Sequence, residues 1–205
     1  MKDVMWKGML SGKIDLDTLS NTNHLYGLGP VEYLRGEILI MDGVAYTSTV
    51  IDSISMRVEE TYKVKAPFFG YAHLPFWLEQ NLPDSIQTLG DLQDYLDIHI
   101  DFLPRPFFFR LSGIAAQATI HLVNLPAGTV VHSPDEAHQG QVDYTLYDIP
   151  CDILGFFSTT HQGIFTHHDT FLHMHLITRD KKYMGHLDRV VFKPGTMRLF
   201  LPMEE

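Results

Sequence analysis

Cysteine is almost absent from this 205-residue chain. Cys151 is the single one, so no disulfide can form within it. Placed just after Pro150, that thiol reads as a small buried apolar residue rather than a nucleophile. Positive charge is scarce as well. Fifteen Lys and Arg stand against 25 Asp and Glu, a formal net charge of −10. No basic stripe is available to neutralise phosphates, which argues against nucleic acid and against adhesion to anionic membranes. A small anionic substrate stays compatible with this balance, since one arginine and one metal ion can outweigh the global field locally. No apolar run approaches the ~20 residues that span a bilayer. The opening MKDVMWKGMLSGKIDLD has no apolar core of a secretory signal. A cytoplasmic protein without a membrane partner is the expectation. Repeats and low-complexity segments are also missing.

Histidine, by contrast, is abundant, with twelve in the chain. The most informative stretch is His173-Met174-His175, with His186 eleven residues after its second histidine. Thr170 to Thr178 is apolar and β-branched, as suits a strand. Side chains two apart on a strand share a face, so His173 and His175 point one way and Met174 the other. The polar run Arg179-Asp180-Lys181-Lys182 reads as a turn, and Tyr183 to Asp188 as the returning strand. A four-residue loop sets Thr178 opposite Tyr183 and His175 opposite His186, with Cβ atoms ~5 Å apart. An odd loop would turn His186 away. Most isolated histidines are surface or hydrogen-bonded core residues, and a lone H-x-H is a weak signal. Three in register are another matter. Three imidazoles leave one position of a tetrahedral zinc open, the arrangement of a catalytic metal.

The hydrophobic fraction, 45%, can fill a core, so the chain is globular rather than disordered. Residues 1–23 read as a helical or irregular lead-in. From Tyr33 the pattern is β. Asp42-Gly43 between Glu37–Met41 and Val44–Ser48 signals a tight hairpin, because both central residues of its turn need positive φ. Val58 to Val64 and Pro67 to Phe76 are further strand candidates. Leu89, Leu92 and Leu96 fall on one helical face, with Thr88 as N-cap and Asp91 at the capping-box position. Phe107 to Gly113 and Ala115 to Val123 continue as strands, then Val142 to Thr160 and Thr170 to Phe200. The segment 124–141 reads as a linker or long loop. These elements predict an α+β fold, strand-rich, with two mixed or antiparallel sheets and few helices. Two halves, 1–123 and 124–205, are expected to form one compact unit and share the site.

Arg110 interrupts three phenylalanines. It either turns to solvent on an edge or clamps a carboxylate, since a guanidinium cannot be deprotonated and binds carboxylates as a bidentate fork. Glu37, opening its strand, is by itself indistinguishable from a surface residue. His161, His167 and His168 precede the histidine strand, and an exposed loop is the simpler reading for them.

Three blocks resemble the α-acetolactate decarboxylase family. Tyr26-Gly27-Leu28-Gly29-Pro30 through Gly36-Glu37, continuing to Asp42-Gly43-Val44-Ala45-Tyr46, is similar to its glycine-rich block ending in Gly-Glu and Asp-Gly. Phe109-Arg110-Leu111-Ser112-Gly113 is similar to its arginine segment. Asp152 to Phe156, with His173-x-His175 and His186, is similar to its histidine segment. The resemblance implies a metal-dependent carboxy-lyase that converts 2-acetolactate, a small anionic hydroxy-keto acid, to acetoin and CO₂. It implies Zn²⁺ or another divalent metal on His173, His175 and His186, catalytic roles for Glu37 and Arg110, and a homodimer. Two positions depart from the pattern: Pro30 stands for a threonine and Arg35 for an aspartate. The family's second glutamate lies in a C-terminal tail, whereas this sequence stops at Glu204-Glu205 after Leu201-Pro202. A diverged member, a related zinc lyase or isomerase, and a non-catalytic metal-binding homologue are the readings in play. A cupin-type dioxygenase is disfavoured, because Leu176 to Lys182 offers only Asp180 where that site uses a glutamate.

Overall fold

Strand periodicity accounts for most of the chain, and every strand pairing among the described residues is antiparallel. The computed structural model describes residues 2–160 and 170–203. In chain order the elements are α1 (Lys2–Lys7), β1 (Ile14–Asp15), β2 (Leu25–Pro30), β3 (Glu37–Met41), β4 (Val44–Val50), β5 (Met56–Glu60), β6 (Lys65–Ala66), β7 (Gly70–His73) and β8 (Trp77–Asn81). There follow α2 (Leu89–His99), β9 (Phe107–Leu122), α3 (Pro134–Ala137), β10 (Val142–Phe157), β11 (Leu172–Thr178), β12 (Met184–Phe192) and β13 (Arg198–Pro202).

The strands form a five-stranded sheet, β5-β4-β3-β2-β7, a six-stranded sheet, β10-β11-β12-β9-β13-β8, and a short β1-β6 ladder. The sheets are purely antiparallel, not mixed. β9 governs the larger sheet. One of its edges pairs with β10 along the whole strand; the other is divided between β13 and β12. That double use closes β9, β10, β11 and β12 into a ring. Inside lies the main core, including Phe109, Leu111, Ile120, Ile153, Met174, Leu176 and Leu187, with Leu92 and Leu96 of α2 packed against it.

The smaller sheet is buried on both faces, which is why Ile38-Leu39-Ile40 is a continuous apolar run rather than an alternating one. Ile38 and Ile40 pack with Leu16, Leu25, Ala66 and Phe69. Leu39 points the other way, joining Tyr26, Leu28 and Tyr46 against Phe108, Leu154, Ile177 and Met184 of the ring. Glu37 is two residues before Leu39, so it too faces the ring.

Local signals match the sequence reading closely. Asp42 and Gly43 have φ of 47° and 79° and join β3 to β4. Thr88 caps α2, and Asp91 completes the capping box. Other expectations need correction. β2 and β8 carry no strand signature, because glycine and proline punctuate the first and polar residues the second. The strand expected over 58–64 is β5, shifted toward the N-terminus, and that over 67–76 shortens to β7. The segment 124–141 is no simple linker: Ser133 caps α3, and Leu125, Val131 and Ala137 bury against Val4 and Leu34. Strands β8 and β9, from the first half of the chain, hydrogen-bond into the sheet that holds the second half.

Candidate metal centre

The β11–β12 hairpin has the register that counting required. The Thr178 N–H donates to the Tyr183 carbonyl at 2.9 Å across the four-residue turn. His175 pairs with His186. His173, His175 and His186 share the outer face of the ring, and all three are buried. Their ring centroids lie 5.4 Å (His173–His175), 5.1 Å (His173–His186) and 5.7 Å (His175–His186) apart. Three imidazoles bound through nitrogen to one tetrahedral zinc at ordinary bond lengths would have centroids about 5 Å apart. The spacing fits.

His175 is the most constrained of the three. Its Nδ1 donates to the Ile38 carbonyl at 3.0 Å, which leaves Nε2 as the lone-pair nitrogen. Nε2 is buried and has no hydrogen-bond partner. It faces Glu37 Oε2 at 3.5 Å. Burial, reinforced by His173 and His121 nearby, pushes the His175 pKa well below the usual histidine range, while its bond to Ile38 opposes the shift. The ring is therefore neutral at ordinary pH, the form that ligates metals. Burial likewise pushes the Glu37 pKa well above the usual carboxylate range. The Val123 N–H opposes that rise, and the charge of Asp188 adds to it. A neutral imidazole with an orphaned buried nitrogen, facing a buried carboxyl, is a set that a divalent cation would satisfy.

A fourth imidazole joins the cluster. His121, on β9, is the cross-strand partner of His186, with ring centroids 4.6 Å apart. Asp188 ties the two together. Its oxygens lie 2.7 and 2.9 Å from His121 Nδ1, and one lies 3.1 Å from His186 Nδ1. Burial alone would raise the Asp188 carboxyl; hydrogen bonds from both histidines outweigh it and hold the group well below the ordinary range. His121, His186 and Asp188 bring ligand atoms within 4.8 Å of one another, so they too form a group able to hold a metal ion. The hydrogen-bond distances favour a carboxylate that orients rings, since each Nδ1 faces one of its oxygens. Sequence reading passed over His121. Its signal was faint: one titratable residue in the mostly apolar run Ala118 to Val123.

Arg110 does not turn out to solvent. It follows Leu154 and His175 along one register row across β9, β10 and β11. At strand spacings of ~4.8 Å, its Cα lies about 10 Å from that of His175 on the same face. The guanidinium sits between Tyr26, Trp77 and Phe200, 5.0–5.4 Å from each ring centroid. It donates to the Tyr26 hydroxyl at 3.3 Å, and its Nε is buried without a partner. Among the described residues no carboxylate pairs with it. Next to this row, Phe108, Phe156 and His173 line a mostly apolar cavity of about 290 Å³ together with Leu28, Phe69 and Tyr71.

Of the remaining sequence candidates, Cys151 is buried with its thiol pushed up to about 12 by desolvation, which removes it as a nucleophile. His161, His167 and His168 lie outside the described residues, as do Glu204 and Glu205. No helix among the described residues is long and apolar enough to cross a membrane.

Comparison with known proteins adds a family. A family model described as Alpha-acetolactate decarboxylase matches residues 1–201. The fold is similar to that of alpha-acetolactate decarboxylase from Bacillus subtilis strain 168, at 18% identity and a TM-score of 0.74, over 100% of this chain and 83% of that one. It is similar to acetolactate decarboxylase from Bacillus subtilis subspecies spizizenii at 16% identity and a TM-score of 0.76, over 100% and 84%. A Staphylococcus aureus protein of unknown function, described as similar to alpha-acetolactate decarboxylase, has 17% identity and a TM-score of 0.70, over 96% and 80%. No curated protein sequence matches the chain.

Proposed function

Because the chain belongs to the alpha-acetolactate decarboxylase family, we propose that it is a metal-dependent carboxy-lyase that converts 2-acetolactate to acetoin and CO₂. His173, His175 and His186 would hold the cation, with zinc the best match to an all-imidazole set. The observation that carries this reading is the orphaned His175 Nε2, buried and facing Glu37 Oε2 at 3.5 Å. A protein does not keep an unsatisfied buried nitrogen beside a buried carboxyl without compensation.

When bound, the cation supplies Lewis-acid stabilisation of the negative charge that develops on the substrate's keto and hydroxyl oxygens as CO₂ leaves. The protein's own groups do the rest. Arg110, with no carboxylate partner among the described residues, would offer a planar fork to the substrate's carboxylate, holding the bond to be broken in place. The aromatic rings around it keep water from competing. Glu37, buried with Oε2 3.5 Å from His175 Nε2, would carry the proton that the reaction consumes. Delivering that proton to the carbon that has lost CO₂ completes acetoin, and returning it from water resets the site. His175, fixed by the Ile38 carbonyl, and His186, fixed by Asp188, keep their orientation through the cycle.

The test is direct. Purified protein given 2-acetolactate should release acetoin, lose that activity with a chelator and regain it with zinc. Full zinc occupancy with no acetoin would move the assignment to another small hydroxy-keto acid. Absence of bound metal under any loading condition would sink the metal centre.

A further inference from the structure

We propose that His121 is a positioning residue of the metal centre, acting on His186 through the carboxylate they share. The inference rests on reading His186 as a ligand. Three features of the fold converge on it.

The first is register. His121 is directly opposite His186, so the two side chains share the ring's outer face. The second is a β-bulge. The pairing of β12 with β9 runs Leu187 to Ile120 and then Arg189 to Thr119, which leaves Asp188 as the extra residue without a cross-strand partner. A bulge re-aims the side chain it carries. Here it sets the carboxylate astride the His186–His121 pair. The third is the division of that carboxylate. Both oxygens lie within 2.9 Å of His121 Nδ1, whereas His186 Nδ1 reaches one of them at 3.1 Å. The tighter partner of Asp188 is thus the histidine outside the ligand trio.

Asp188 has a physical need for such a lock. It is partly exposed, unlike the imidazoles. Held by the single His186 contact, it could rotate toward water and leave His186 free to exchange tautomers or turn its ring. His121 is buried and packed between His186 and His138. Its Nδ1–H pins the carboxylate in the orientation that keeps His186 Nδ1 protonated and the lone pair on Nε2. Partners of this kind are typically worth 10–100-fold in metal affinity.

Three variants test the assignment. His121→Phe removes the donor. His121→Asn keeps an amide N–H where Nδ1 stood, and His121→Gln carries its amide past that point. Zinc affinity, measured by competition against a chromophoric chelator, should fall about 10–100-fold in the Phe and Gln variants and stay near the wild-type value in the Asn variant. The visible spectrum of the cobalt(II) form should change in the first two and not in the third. Nitrogen-15 NMR of the metal-free protein gives a readout independent of loading. His186 should show one tautomer in the wild type and the Asn variant, and a mixture in the Gln variant. Wild-type zinc affinity in the Phe or Gln variant, or one sharp tautomer throughout, overturns the proposal. Should the Phe variant not fold, the Asn and Gln pair decides alone. A wild type that takes up no metal while its tautomers respond as described would refute the proposed function and leave the Asp188 lock standing.

Discussion

Strands β9, β11 and β12 present two faces one residue apart, and the faces obey different rules. Toward the ring's interior they carry Leu111, Ile120, Met174, Leu176 and Leu187, all buried in one apolar core. Toward the smaller sheet the same strands carry Arg110, His121, His173, His175 and His186. The inner face is held by non-directional burial, which tolerates changes of shape at fixed volume. The outer face adds directed contacts to the apolar packing of Phe108, Ile177 and Met184: Ile38 carbonyl to His175, Asp188 to two histidines, Tyr26 hydroxyl to Arg110. The core supplies stability so that the neighbouring face can hold polar groups whose partners are incomplete.

That division can be broken in steps, beginning with the largest expected effect. His175→Ala should abolish metal binding and lower acetoin formation by about a thousandfold or more, while circular dichroism still reports the native β content. Glu37→Gln keeps the shape and removes the proposed proton carrier. A fall in kcat of roughly 10²–10⁴ with unchanged zinc content is expected, and a kcat within twofold of wild type would remove Glu37 from the chemistry. Arg110→Ala should reduce kcat/KM by about 10²-fold, through loss of charge-assisted hydrogen bonds to the substrate, again with full metal. Leu176→Ala, on the inner face, should do the opposite. It should cost about 2–5 kcal/mol of stability in denaturant titrations and leave zinc stoichiometry intact; a variant that lost zinc before it lost stability would show that the faces are not separable. Thr88→Ala, far from both faces at the α2 cap, should cost only about 1 kcal/mol and leave turnover as it was.

How far the molecule could be read from its sequence follows the same geometry. The His175–His186 pairing was legible because a four-residue polar turn and a period of two determine it locally. The Asp42-Gly43 turn and the Thr88–Asp91 capping box were legible for the same reason: each is settled within a few residues. His121 was not. It meets His186 only because β9 pairs with β12 across 64 intervening residues, beside a bulge that periodicity does not announce. Glu37 was nameable from family likeness, but its role depends on one sheet facing another, and no local pattern encodes that. Segment 124–141 misled because proline and glycine spacing describes turns well and says nothing of Leu125, Val131 and Ala137 packing beneath them.

The pairing order of the sheets has one more consequence. The strands that carry the site residues, β3, β9, β11 and β12, all have neighbours on both edges. Among the described residues the outermost strands of the two larger sheets are β5, β7 and β8, so a stray chain seeking a template for strand addition or fibril growth meets those edges before the site strands. Damage of that kind would begin at the periphery, and the chemistry would be the last part of the molecule to be unzipped.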